Sequence, residues 1–178
     1  MKIKFLFSAL ILFLSQNILA QHLNSNTTPP RSSPFFNIDI SGSSGNYNGK
    51  TYSEIHLGLN MNFTDWLTWR NAAFKRFSSA GQDLTGVDSS VRFILNNQFD
   101  GGGVKLFAGP GYRWADPSEK NALFGEAGAG LQLGRFGVGI GAKYLKYDKV
   151  QLDSNRNETK RDDLNYFITI TGGAGLSF

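Results

Sequence analysis

The chain is 178 residues long, has no cysteine and carries a formal net charge of +4, which bounds it to one domain plus at most a tail and excludes disulfide frameworks, thiolate metal sites and thiol nucleophiles. Its 21 glycines, 13% aromatic content and only 5 prolines suit strands and tight turns better than a helical bundle. The mildly negative mean hydropathy decides nothing about membranes, because a transmembrane barrel is polar on its inner face.

Residues 1–20 read as a cleaved secretory signal peptide. Lys2 and Lys4 precede an apolar run over residues 5–14, and Ile18-Leu19-Ala20 offers a cleavage site before Gln21. The run spans about half of the twenty or so residues a membrane helix needs. Cleavage removes two lysines and no acid, taking the charge from +4 to +2. That leaves no basic surplus to support a nucleic-acid partner. Residues 21–34, with Pro29-Pro30 and no periodicity, read as a flexible periplasmic linker.

From Phe35 onward, alternating runs are joined in turn by longer polar loops and very short turns. The first strand, over residues 35–43, sends Phe36, Ile38 and Ile40 outward and Asn37, Asp39 and Ser41 inward, and residues 42–50 follow as a loop. The second, over residues 52–63, sets Ile55, Leu57, Leu59, Met61 and Phe63 against Glu54, His56, Gly58, Asn60 and Asn62. Thr64-Asp65 turns it into a third strand over residues 67–77, with Thr68, Arg70 and Ala72 inward. Phe74 and Lys75 break the alternation there, before a loop at 78–87. The fourth, over residues 88–99, points Ser90, Arg92, Asn96 and Gln98 inward.

A glycine turn at 100–103 leads to the fifth strand, over residues 104–114, with Lys105, Gly109, Gly111 and Arg113 inward. Pro110 has no ladder donor, so a bulge or locally broken pairing is expected there. After a loop at 115–121, the sixth strand over residues 122–133 turns at Gly134-Arg135 into the seventh over residues 136–147, with Glu126 and Lys143 inward. The glycines at 128, 130, 137, 139 and 141 alternate strictly, which makes room for long inward side chains and excludes a phosphate-binding loop. The charged loop 148–163 precedes a closing strand over residues 164–178, with Leu164, Tyr166, Ile168 and Ile170 on its oily face and Phe178 at its end.

The count is eight strands, an even number, as a closed antiparallel up-and-down transmembrane β-barrel requires. Turns near 64, 100 and 134 are short and connections near 42, 78, 115 and 148 are longer, the asymmetry of such barrels. Two aromatic girdles are expected: Phe35, Phe36, Phe63, Trp66, Phe99, Phe136 and Phe178 at the short-turn rim, and Tyr52, Phe77, Tyr112, Trp114, Phe124, Tyr144, Tyr147 and Tyr166 at the loop rim.

Residues 35–178 resemble the small bacterial outer-membrane barrels of the OmpA transmembrane-domain and OmpX/Ail type. Asn62-Phe63-Thr64-Asp65-Trp66 is similar to their strand–turn–strand joints, and residues 172–178 to their terminus. The resemblance implies an outer-membrane location, outer-membrane lipids and lipopolysaccharide as surroundings, and Phe178 as the signal read by the barrel assembly machinery. No peptidoglycan-binding domain follows Phe178, so anchoring to the cell wall is not expected.

A lumen this narrow holds side chains alone. Asp39, Glu54, His56, Arg70, Arg92, Lys105, Arg113, Glu126 and Lys143 are therefore expected to pair as a charged plug, with a gated ion path as the rival reading. Some small outer-membrane barrels are lipid A deacylases or acyltransferases that use a serine activated by histidine. Here only His22 and His56 are available, no His-x-Ser pair exists, and Ser53 points away from His56, so no enzyme is expected. No ligand-spaced cluster suggests a metal, and no cofactor is expected. Lys149, Arg156, Lys160 and Arg161 in the last loop are the candidates for contact with lipopolysaccharide phosphates or another cell's surface. The expected protein is a monomer with a structural or surface-interacting role.

Overall fold

The computed structural model describes residues 35–47, 49–78, 83–99, 102–134, 136–149 and 162–172. The strands in chain order are β1 (Phe36–Tyr47), β2 (Lys50–Thr64), β3 (Leu67–Ser78), β4 (Leu84–Phe99), β5 (Gly102–Asp116), β6 (Ala122–Leu133), β7 (Phe136–Tyr147) and β8 (Asp162–Gly172), with a 3-10 turn at Ser118–Lys120. Each strand pairs antiparallel with its neighbours in sequence, and β1 closes on β8, with Ile38 opposite Gly172. The molecule is thus an all-β, eight-stranded antiparallel barrel, as the alternation predicted.

Period-two patterning positions everything inside it. Along β2, Tyr52, Glu54, His56, Gly58 and Asn60 are buried, while Ser53, Ile55, Leu57 and Leu59 are exposed. The faces are inverted relative to a water-soluble protein: Ile40 and Leu57 are each 58% exposed, whereas Glu54 is 1% and Arg113 0% exposed.

β6 and β7 have the expected bounds. Several other features differ. Residues 42–47 are not a loop: the ladder runs on to Tyr47 opposite Lys50, which leaves two residues between the strands, and Gly49 is at φ 74°. Asn-Gly is the hairpin pair that tolerates this backbone, and the polar composition around it concealed two strand ends. The first connection at that rim is therefore as tight as those at the other. β3 does not lose its alternation: Phe74 and Arg76 are buried and Lys75 is exposed, because an aromatic and an arginine both belong inside this lumen. β4 starts earlier than expected, at Leu84.

Of the loop-rim girdle, Tyr52, Phe124 and Tyr147 turn inward and are buried, whereas Phe77, Trp114, Tyr144 and Tyr166 are exposed. Strand parity overrides rim position, since each of the three occupies an inward place in its ladder. At Pro110 the β4–β5 ladder is interrupted between Ser90–Gly111 and Phe93–Ala108 with no shift of register, which is the broken pairing a proline imposes. Residues 1–34, with the expected signal peptide and linker, and Phe178 lie outside the described residues.

Candidate functional site in the barrel interior

Inward positions of all eight strands converge on a ladder of charge pairs. Nearest the short turns, Asp39 accepts from Arg70 Nη2 at 2.6 Å and Nε at 2.9 Å, and from Asn60 Nδ2 at 2.7 Å. Across the lumen, Arg92 donates from Nε and Nη2 to Glu126 at 2.8 and 3.0 Å, and Ser90 Oγ donates to the same carboxylate at 2.5 Å. Planar guanidinium forks facing carboxylates in two bonds are the strong form of such pairs.

Towards the loop rim the network becomes continuous. Glu54 accepts from Arg76 Nε at 2.7 Å and from Arg113 Nη1 at 2.8 Å. Arg113 reaches Asp88 through Nε at 2.7 Å and Nη2 at 2.9 Å, and Asp88 also accepts from Lys143 Nζ at 2.6 Å. Asp163, on β8, accepts from Tyr52 at 2.5 Å and Tyr147 at 3.3 Å, and Asn165 donates to Glu54 at 3.2 Å.

Rings press on the cations from the other side. Arg76 lies 3.7 Å from the Tyr52 ring centre, Arg113 4.0 Å from Phe74, and Lys143 4.5 Å from Phe124. Above them Phe124, Leu145, Ala122 and Tyr147 form a buried cluster near the loop rim. Over the rim sits Lys120, its ammonium 4.7 Å from the Tyr47 ring. Burial, and then the nearby Arg76, pull the Lys120 amine down to about 8.

Of the residues named from sequence, Asp39 meets Arg70, Glu126 meets Arg92, and Glu54, His56, Arg113 and Lys143 share one cluster. Lys105 joins none of these pairs. Lys149 is exposed beyond β7, and Arg156, Lys160 and Arg161 lie outside the described residues. Sequence reasoning missed Arg76, Asp88 and Asp163. Arg76 and Asp88 were within reach of it, since continuing the period through β3 and β4 places both inward. Asp163 fell beyond the expected strand end.

His56 Nε2 lies 3.1 Å from Glu54 and 3.3 Å from Ser43 Oγ, and its Nδ1 lies 3.8 Å from Asp88. A serine, a histidine and two carboxylates are thus assembled, but Ser43, His56, Glu54 and Asp88 are all buried, and the adjacent cavity measures about 10 Å³. Ligand pockets are usually some hundreds of Å³. Among the described residues no group of His, Asp and Glu is placed to hold a metal ion.

No protein-family model and no curated protein sequence matches the chain. Among solved structures, the outer membrane enzyme PagL superposes with a TM-score of 0.54, covering 75% of this chain and 97% of its own at 15% identity. Neisserial surface protein A superposes with a TM-score of 0.52, covering 77% of this chain and 94% of its own at 8% identity. Both are eight-stranded outer-membrane barrels, and what they share with this chain is that architecture.

Proposed function

We propose that the protein is a bacterial outer-membrane barrel of the OmpA/OmpX kind. In this reading it acts as a monomer, without catalysis, and has a structural or surface-interacting role carried by its loops while a charged network closes its lumen. The observation that carries the reading is the inversion of the barrel wall. Ile40, Leu57, Ile140, Ile168 and Ile170 stand exposed around the outside at mid-strand positions, while Asp39, Glu54, Arg70, Asp88, Arg113, Glu126 and Lys143 are buried inside. An apolar belt of that extent in water would be an aggregation surface, whereas hydrocarbon is its natural solvent. Phe63, Trp66, Phe99 and Phe136 at one rim and Phe77, Trp114, Tyr144 and Tyr166 at the other are exposed as interfacial girdles would be. The sealed surroundings of Ser43 and His56 support the absence of catalysis at that cluster.

A narrow gated pore is the second reading. It draws on the sharing of Glu54 between Arg76 and Arg113, and of Asp88 between Arg113 and Lys143, which gives the pairs alternative partners. The membrane assignment is tested by adding urea-unfolded protein to preformed lipid vesicles. Folding in lipid is expected, seen as a compact band on unheated gels that shifts on heating. A folded, detergent-free monomer in buffer would contradict it. The loop role is tested by replacing Lys149, Arg156, Lys160 and Arg161 with glutamine, with loss of binding to lipopolysaccharide expected.

A further inference from the structure

The inward strand positions of the described residues hold the carboxylates Asp39, Glu54, Asp88, Glu126 and Asp163 and the cations Arg70, Arg76, Arg92, Lys105, Arg113 and Lys143. One cation is in excess, and the hydrogen bonds identify it. Arg70, Arg76, Arg92, Arg113 and Lys143 each touch a carboxylate. Lys105 has no hydrogen-bond or ion-pair partner among the described residues.

Lys105 lines the larger interior cavity, about 60 Å³, on the short-turn side of the network. This space exists because Gly130, Gly137 and Gly139 on β6 and β7 supply no side chains to fill it. Lys105 faces Gly130 directly across the β5–β6 ladder. Arg92 lines the same cavity, with its guanidinium fixed by Glu126 and by the Phe107 ring 4.5 Å away. Arg92 spends Nε and Nη2 on Glu126, so Nη1 remains as a donor. Thr169 and Thr171 contribute hydroxyls to the wall. The cavity wall also includes Asp39, whose carboxylate is already held by Arg70 and Asn60. With that carboxylate paired, the wall keeps one ammonium without a counter-ion, a second cation's remaining donor and neutral hydroxyls, a balance that favours negative charge.

We propose that this vestibule binds a small oxyanion, a phosphate or carboxylate group, with Lys105 as its counter-ion and Arg92 as a second donor. The proposal goes beyond the structural and loop-borne role above, because it assigns a ligand to the opposite end of the barrel. The cavity is far below the size of a drug-like pocket. It admits the anionic group itself, either as a free ion or as the head of a lipid reaching in from the rim.

The test uses the expressed protein in octyl glucoside, an uncharged and phosphate-free detergent, followed by amide NMR. Titration with inorganic phosphate is expected to give saturable shifts at Gly130, Gly139 and Thr169. Lys105→Met is expected to weaken the apparent affinity by about tenfold or more, the loss of one charge-assisted hydrogen bond. Lys105→Arg, which keeps the charge, should retain binding, and Lys75→Met, on the outer face, should leave it unchanged. Short-chain phosphatidic acid serves as the second probe. Saturation by inorganic phosphate supports a free-ion site, and saturation by the lipid alone supports a headgroup site. Absence of saturable shifts with either probe, or identical titrations for wild type and Lys105→Met, would overturn the proposal. Heat-modifiable mobility of each variant establishes that it is folded.

Discussion

The two halves of the lumen obey the same alternation rule and end up in opposite states. Toward the loops the lumen is nearly filled: Glu54, Arg113 and Asp88 interlock, Phe74 lies against Arg113 and Phe124 against Lys143, and Tyr52 and Tyr147 both donate to Asp163. Toward the short turns, Asp39–Arg70 and Arg92–Glu126 are separate pairs beside a cavity partly walled by glycines, and Lys105 has no ion-pair partner among the described residues. Side-chain volume makes the difference. Gly128 and Gly141 are covered by Phe107 and Phe167, whereas Gly130, Gly137 and Gly139 have no comparable ring over them. Arg113 and Lys143 in the first half are paired and hydrogen-bonded, and so are Arg70 and Arg92 in the second, where Lys105 borders the cavity instead.

The sharpest way to break the contrast is Arg113→Met. It removes the cation that Glu54 and Asp88 share, leaving two buried carboxylates with one cation each, Arg76 and Lys143, and a loss of about 3–5 kcal/mol is expected from urea unfolding in lipid vesicles. Lys105→Met, in the open half, is expected to leave that unfolding midpoint nearly unmoved. A charge on the outside comes next: Leu57→Arg, at the middle of β2, should cost about 2–4 kcal/mol in the same measurement if the belt faces hydrocarbon. In a water-exposed barrel the same change would be nearly neutral.

A finer probe compares two glycines. A methyl on Gly128 would sit 2.5 Å from both the Phe107 ring and the Ile140 carbonyl, so Gly128→Ala should cost about 1–3 kcal/mol by overpacking. At Gly130 the nearest atom is 3.3 Å away, so Gly130→Ala should cost less than Gly128→Ala. The smallest effect is a pH dependence at Lys120. Its folded value of about 8 lies below the ordinary lysine value of 10.5, so the unfolded chain binds more protons between them. Its contribution to stability therefore rises as pH climbs from about 8 towards 10.5 and is absent below that window. Partial exposure screens the size of the effect. Amine labelling followed by peptide mapping should show Lys120 reactivity rising near pH 8, and Arg76→Met should move that rise upward.

The barrel was legible because a lumen-facing and an outward-facing residue must alternate, and β2 does so cleanly from Tyr52 to Asn60, β6 from Ala122 to Glu126 and β7 from Lys143 to Tyr147. Where the reading failed, composition had been weighed above parity. The run at 42–50 looked like loop because it is rich in serine, glycine and asparagine, yet those residues suit an inner face and a tight Asn-Gly turn. Phe74 and Lys75 looked like a break in the alternation, although an inward ring is what Arg113 stacks upon. Which carboxylate meets which cation was not legible at all. Glu54 and Arg113 are 59 residues apart, on strands that do not neighbour each other, and only the closed barrel brings them to 2.8 Å.

Single-channel recording of the refolded protein in a planar bilayer tests the closed lumen most directly. A plugged barrel predicts insertion without conductance for wild type. Stable wild-type conductance that changes with Glu54→Gln or Arg92→Gln would contradict it and establish a gated path through the network.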